Sequence, residues 1–227
     1  MSTGFARQLR ERTASVWDAV HAHPFVTGIG DGTLPTEVFT FYLAQDHAYL
    51  DGFARVLAVA AAKAESLDDM RRLGGLLALT LEEEMEMHRR TCAAFGITSD
   101  ELERTEPGLV TSAYTSYLLR TCYEGSMTDI LAVLLPCAAG YVEIAQRLRE
   151  RGLPDVEHYR EWIETYTDPS MVELVEWLSK RVDAMGAEAS EAARVRWLDR
   201  YRTSARYELL FFDMAWRRET WPSIVPA

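Results

Sequence analysis

Apolar residues recur at helical spacing along almost the whole chain of 227 residues. Spacings of three and four put apolar side chains on one face of an α-helix, whereas no segment shows the alternation that marks a strand. No unit of roughly 20–50 residues repeats, which disfavours a solenoid. The sequence therefore predicts an all-α fold, a single domain spanning residues 1–227, built as a helical bundle of about eight helices.

Proline, glycine and capping residues divide the pattern into segments. A loop is predicted around Gly28–Gly32, and a polar connector over residues 97–108 that ends in Glu106-Pro107-Gly108. The predicted helices span about residues 3–22, 35–63, 68–95, 109–123, 126–151, 155–166, 169–186 and 190–218.

The charge balance narrows the possible partners of the protein. The net charge of −11 opposes attraction to a phosphate backbone, so no nucleic-acid partner is expected. No apolar run approaches the ~20 residues of a membrane span, and the first residues lack a secretory signal, so we expect no membrane and a cytoplasmic protein. The three cysteines are odd in number and lack metal-ligand spacing, so neither a disulfide framework nor a zinc site is predicted.

One cysteine follows a proline inside a predicted helix. Proline in a helix interior removes a backbone hydrogen bond at a cost of about 3 kcal/mol, so Pro136 calls for an explanation. Cys137 shares an apolar face with Val133, Leu134 and Tyr141 and should point inward. A small buried hydrophobe and a reactive thiol are both compatible with this position.

Two acids also occupy apolar helix faces. Asp46 lies in the series Tyr42, Leu43 and Tyr49, and Glu208 lies on the side of the last helix that carries Trp197, Tyr201, Ala205, Phe212, Ala215 and Trp216. A buried carboxylate needs a partner, or else it takes up a proton. Periodicity leaves open whether Asp46 anchors the structure or binds a ligand.

Several tyrosines accompany these three polar groups. A helical bundle builds small-molecule sites from side chains on facing helices, and tyrosines suit a flat ring. The candidates are Tyr49, Tyr114, Tyr141 and Tyr166. The acidic run from Glu82 to Glu86 before His88 invites a di-metal interpretation, but Met85 occupies the position that Glu-x-x-His requires, so we expect a solvated face with His88 bonded to a neighbour.

The polar groups belong to a set of short motifs spread along the chain. These are His23-Pro24-Phe25-Val26, Gly28-Ile29-Gly30-Asp31-Gly32-Thr33-Leu34-Pro35, Gln45-Asp46-x-x-Tyr49-Leu50, Tyr114-Thr115-Ser116, Leu134-Leu135-Pro136-Cys137, Trp162-Ile163-x-x-Tyr166 and Tyr207-Glu208. Together these motifs resemble the TenA/thiaminase II family, and the similarity covers nearly the whole chain, in the same order.

The resemblance implies a haem-oxygenase-like fold, a homotetramer without cofactor, and an aminopyrimidine aminohydrolase of thiamin salvage that can also cleave thiamin. It implies that Cys137 adds covalently to the pyrimidine and that Glu208 transfers protons. Asp46 would hold the ring nitrogen and the exocyclic amino group, and the four tyrosines would stack on the ring or orient the catalytic groups. Thiamin, the aminomethyl pyrimidine and a formylated relative all remain possible substrates.

The chain departs from the family pattern directly after the cysteine. Ala138-Ala139-Gly140 are smaller than the aromatic residues often found there, which predicts a roomier pocket. Two rival functions stay open at this point. One is a haem- or other cofactor-binding protein of the same fold, with His21 or His23 as an axial ligand. The other is an accessory protein in the transcription of secreted enzymes, and the acidic charge argues against direct DNA contact.

Overall fold

A computed structural model describes residues 4–222, apart from the side chain of Glu83. Within this range the chain forms helices and no strands, which confirms the all-α prediction. The α-helices are α1 (Phe5–Glu11), α2 (Ala14–His21), α3 (Pro24–Asp31), α4 (Thr36–Ala62), α5 (Leu67–Leu79), α6 (Met85–Ala94), α7 (Ser99–Glu103), α8 (Leu109–Glu124), α9 (Met127–Arg151), α10 (Glu157–Tyr166), α11 (Pro169–Glu188) and α12 (Glu191–Arg217).

The described residues hold twelve α-helices rather than about eight, because two predicted segments are divided and two short helices, α3 and α7, lie where a loop and a connector were predicted. The predicted first helix breaks at Thr13, and the polar connector contains α7 with a complete capping box. The predicted third helix is interrupted by a π-helical turn, Thr80–Glu84, between α5 and α6. A π-turn holds one residue more than an α-turn, so it changes the direction in which the following side chains point.

The predicted loop around Gly28–Gly32 is instead the end of helix α3. His23 caps this helix through its Nδ1, which accepts the amide of Phe25 at 3.1 Å, and Pro24 occupies the first turn. Gly32 ends the helix in the left-handed region with φ of 71°, which favours glycine. A proline at the start and a glycine past the end are signals of a helix rather than of a loop.

Helix α9 is the central element of the bundle, and α8, α10, α11 and α12 pack around it. Its length and apolar composition would also allow it to cross a membrane, but 72% of its most apolar window is buried inside the protein. These properties fit the core helix of a folded bundle. The buried apolar side chains form one cluster that extends from Phe5 to Ala215.

The small residues after Cys137 face different parts of the protein. Gly140 lies against the Trp17 ring, where a Cβ atom would approach ring carbons to 2.4 Å. Its lack of a side chain therefore serves the packing of α2 on α9. Only Ala138 of the three lines the cavity described below, so any gain of room there comes from Ala138.

Candidate active site

One cavity lies between α4, α5, α8, α9, α10, α11 and α12. The centres of water-sized spheres can occupy about 70 Å³ of it, which is room for several water molecules. All seven residues predicted from the sequence as site residues line it: Asp46, Tyr49, Tyr114, Cys137, Tyr141, Tyr166 and Glu208. The remaining wall is mainly apolar, and includes Leu50, Phe53, Leu73, Leu76, Leu134, Leu174 and Phe211.

The thiol of Cys137 is the centre of the polar end formed by α4, α8, α9 and α12. The Tyr49 hydroxyl donates a hydrogen bond to Sγ at 3.6 Å. Burial raises the pKa of the Cys137 thiol well above its ordinary value, and the nearby Glu208 carboxyl adds to this increase. The thiol is therefore protonated at neutral pH, and becomes a nucleophile only when a base removes its proton.

The carboxyl of Glu208 lies within hydrogen-bond reach of that thiol. Burial raises the pKa of Glu208 to about 7, and hydrogen bonds with Tyr114 and Cys137 partly offset this effect. The Tyr114 hydroxyl donates to Oε1 of Glu208 and lies 2.9 Å from Oγ of Ser204. A carboxyl that titrates near neutral pH can both take up and release a proton during a reaction cycle.

Asp46 forms a second polar group in the cavity. Its Oδ2 lies 3.3 Å from Nε2 of His88, so the expected neighbour of His88 is Asp46. Burial raises the pKa of Asp46 to about 7, while a hydrogen bond with Tyr42 acts in the opposite direction. Burial also lowers the pKa of His88 to about 4, so the imidazole is neutral at pH 7 and fixes the carboxyl without neutralising it.

Aromatic rings form the walls beside these polar groups. The ring centroids of Tyr141 and Tyr166 are 4.8 Å apart, and those of Tyr49 and Tyr114 are 5.3 Å apart. The Tyr42 hydroxyl donates to the Tyr141 hydroxyl at 3.4 Å. Such surfaces accept a flat heterocycle and leave their hydroxyl groups near its polar edge.

A third acid, Glu84, lines the cavity, although the helical period predicted that it faces solvent. Glu84 is the last residue of the π-turn and lines the cavity together with Thr80. Burial raises the pKa of Glu84 to about 7, and the Asp46 carboxyl adds to the increase. The neighbouring Glu82 is exposed, so the solvated-face interpretation is right for Glu82 and wrong for Glu84.

The two candidate haem ligands lie outside the cavity. The Nε2 of His21 is 3.0 Å from Glu143, and His23 caps α3 with its Nε2 3.4 Å from Asp213. Neither ring lines the cavity, so the geometry does not support an axial ligand there. Within residues 4–222, no group of three or more His, Cys, Asp or Glu side chains is arranged to hold a metal ion.

Pro136 is buried in α9 directly before the thiol, and the helix continues through it. We predict that Pro136→Ala restores the missing amide, moves Cys137, and lowers kcat by about tenfold or more without lowering Tm, since proline is the poorer helix residue. Pro169→Ala, which changes a first-turn proline of α11, serves as the control and should keep full activity. Full activity of Pro136→Ala with an unchanged helix would show that the proline does not position the thiol.

The chain is similar to known proteins over most of its length. Residues 10–218 match the model of the TENA/THI-4/PQQC family. An aminopyrimidine aminohydrolase of Halalkalibacterium halodurans is 39% identical over 222 residues, which are 96% of this chain and 97% of the relative. Another from Bacillus subtilis is 35% identical over 217 residues, 96% of this chain and 92% of the relative.

Solved structures show the same fold. A TenA homologue from P. horikoshii OT3 superposes with a TM-score of 0.89 at 34% identity, covering 96% of this chain and all of that one. A domain with a haem-oxygenase-like fold from Shewanella denitrificans superposes with a TM-score of 0.72 at 14% identity, covering 93% of this chain and 92% of that one. The fold is therefore haem-oxygenase-like, and this chain belongs to the TENA/THI-4/PQQC family.

Proposed function

We propose that this protein is an aminopyrimidine aminohydrolase that converts 4-amino-5-aminomethyl-2-methylpyrimidine to hydroxymethylpyrimidine and ammonia in thiamin salvage. The observation that carries the proposal is the meeting of the Cys137 thiol, the Glu208 carboxyl and the Asp46 carboxyl in one tyrosine-lined cavity. Relatives with this activity in their names, at 35–39% identity over nearly the full chain, support the same conclusion.

In the bound state the pyrimidine ring lies among Tyr49, Tyr141 and Tyr166. Asp46 holds the ring nitrogen and the exocyclic amino group, because a carboxyl near its pKa can donate one hydrogen bond and accept another. The aminomethyl group then points toward Cys137 and Glu208. Glu84 lies on the same cavity wall as Thr80, and its carboxyl adds a further acceptor for the amino groups of the substrate.

During the reaction Glu208 takes up a proton twice and releases a proton twice. The sulfur of Cys137 forms a bond to a ring carbon while the thiol proton passes to Glu208, and the electron pair moves into the ring. That pair expels the amine from the methylene carbon, and Glu208 returns the proton to the amine, which leaves as ammonia.

Water completes the cycle. Its oxygen bonds to the methylene carbon as one of its protons passes to Glu208. The carbon–sulfur bond then breaks, and Glu208 returns this proton to the departing thiolate of Cys137. The net change replaces an amine by a hydroxyl group, and the enzyme ends in its starting protonation state.

The direct test is to incubate the purified protein with the aminomethyl pyrimidine and to measure ammonia and hydroxymethylpyrimidine together. Thiamin and the formylated aminomethyl pyrimidine are assayed in parallel, and the largest kcat/KM identifies the preferred substrate. We expect equal amounts of the two products from the aminomethyl compound. Absence of turnover with all three compounds would contradict the proposal.

Asp46 should govern substrate binding. We predict that Asp46→Ala raises KM roughly 10- to 100-fold, because a hydrogen-bonded partner of the ring edge is lost. Asp46→Asn keeps one donor and one acceptor and should raise KM less. Asp51→Asn, on the exposed side of the same helix, is the control and should leave KM unchanged. An unaltered KM for Asp46→Ala would reduce Asp46 to a structural partner of His88.

We also propose a cytoplasmic homotetramer without nucleic-acid or membrane partners. Catalysis by Cys137 needs a reduced thiol, which the cytoplasm maintains. Trp221 and Leu109 are 44% and 46% exposed and give the protein apolar surface. The Trp221 indole donates a hydrogen bond to the Pro107 carbonyl at 2.9 Å, and this bond holds the ring near the start of α8. Burial against another subunit would remove it from water.

A further inference from the structure

A chain of hydrogen bonds leads from the proposed acid/base group to the backbone of the cysteine helix. The Tyr114 hydroxyl contacts Glu208 at one end and lies 2.9 Å from Oγ of Ser204 at the other. The Ser204 hydroxyl in turn lies 2.7 Å from the carbonyl oxygen of Val133 in α9. All four residues are at most 3% exposed, so residues 4–222 shield these contacts from solvent.

Counting protons shows how the chain depends on the acid. There are three contacts, but the two hydroxyl groups supply only two protons, and a carbonyl oxygen can only accept. All three contacts are hydrogen bonds at once only when the Glu208 carboxyl supplies the third proton. The order of donation is then from Glu208 to Tyr114, from Tyr114 to Ser204, and from Ser204 to the Val133 carbonyl.

When Glu208 is ionised, the direction reverses. The carboxylate accepts a hydrogen bond from the Tyr114 hydroxyl. This bond is stronger than one to a neutral group, because the acceptor is charged. The Ser204 hydroxyl can then rotate and donate to the Tyr114 oxygen. The Val133 carbonyl is not left bare, because its position in α9 makes it the helical acceptor of the Cys137 amide.

We propose that Ser204 is a positioning residue whose hydroxyl keeps Tyr114 and Glu208 hydrogen-bonded in both protonation states, by changing which neighbour it donates to. This deepens the proposed function, in which Glu208 gains and loses a proton twice per turnover. A rigid donor would favour one state, whereas a rotating hydroxyl accommodates both at little energetic cost.

The consequence of removing the hydroxyl has a definite sign. Without the Ser204 hydroxyl as acceptor, Glu208 is the remaining hydrogen-bond partner of the Tyr114 hydroxyl in this series. A hydrogen bond from Tyr114 to Glu208 favours the ionised carboxylate. The pKa of Glu208 should therefore fall, by about 0.5–1 pH unit for the loss of one neutral hydrogen bond. The step that needs protonated Glu208 then slows at neutral pH.

The test uses two variants of equal shape, Ser204→Thr and Ser204→Val, which differ in the hydroxyl. The protonated Glu208 carboxyl is titrated by infrared difference spectroscopy, with Glu208→Gln identifying its band, and kcat is measured over the same pH range. We expect Ser204→Val to lower the carboxyl midpoint by about 0.5–1 pH unit and kcat at pH 7 by several-fold. Ser204→Thr should keep the parent midpoint, and so should Thr203→Val, whose hydroxyl bonds the Asp199 carbonyl.

Equal carboxyl midpoints for Ser204→Val and Ser204→Thr would overturn the inference. If the extra methyl group prevents folding, as thermal melting would show, Ser204→Ala replaces both variants. It should shift the midpoint in the parent but not in a Tyr114→Phe background, where the chain is already broken. Because the infrared titration needs no turnover, it tests Ser204 even if the proposed substrate fails, and an unshifted midpoint in an active enzyme refutes Ser204 alone.

Discussion

Cys137→Ser should fold with the helix content of the parent and lose aminopyrimidine hydrolysis by about 10³-fold or more. The serine hydroxyl ionises far less readily than a thiol, and the cavity already disfavours negative charge, since burial raises the pKa of the Cys137 thiol well above its ordinary value. The loss should lie in kcat, because the tyrosines and Asp46, which are proposed to hold the ring, remain in place. Steady-state assays of ammonia release and far-UV circular dichroism measure the two effects.

The chain offers a control for the loss of a buried thiol as such. Cys122 is fully buried and lies outside the cavity, with its Sγ 3.9 Å from the Val56 carbonyl. Cys122→Ser should lower Tm, because a polar group replaces a buried sulfur, and should leave kcat near the parent value. If Cys137→Ser instead turned over like the parent, covalent catalysis would be wrong, and direct attack by water activated by Glu208 would replace it.

The sequence identified the polar end of the cavity because its residues break a rule. Asp46 and Glu208 are acids on apolar helix faces, and Cys137 follows a proline inside a helix. The structure buries both acids and puts all three beside one cavity. Straight helices of predictable period make such exceptions visible without coordinates.

Other features had no signal in a regular period. The π-turn holds one residue more than an α-turn. A regular period of 3.6 residues per turn therefore predicts that Glu84 faces solvent, whereas Glu84 lines the cavity. Ser204 resembles any polar position, and only its contacts on α8 and α9 distinguish it. Trp216 was expected on the apolar side of the last helix but is 38% exposed next to the end of α12, while the other six side chains of that series are buried.

Glu208→Gln should lower kcat by about 10²–10⁴-fold, because in the proposed mechanism the carboxyl moves a proton between thiol, amine and water, which an amide cannot do. The same change should stabilise the protein at alkaline pH. Burial raises the pKa of Glu208 to about 7 from an ordinary value of 4.5. Between these values the folded state binds the proton that the unfolded state has lost, so stability falls as pH rises through this window.

Above pH 7 the folded parent therefore contains a buried charge that the glutamine variant lacks. We expect Glu208→Gln to have a free energy of unfolding at pH 8 higher than that of the parent by on the order of 2 kcal/mol, and no such advantage at pH 4.5. Urea unfolding at the two pH values measures this difference. Glu164→Gln, at an exposed position, should change neither kcat nor stability.

These two results separate catalysis from folding at one residue. A variant that loses activity because it unfolds should lose stability at every pH, whereas Glu208→Gln should lose activity while gaining stability at pH 8. That combination is expected when the carboxyl is buried and also transfers protons. Reduced stability at pH 8 together with near-parent activity would instead make Glu208 a structural partner of Tyr114 and leave the proton transfers to another group.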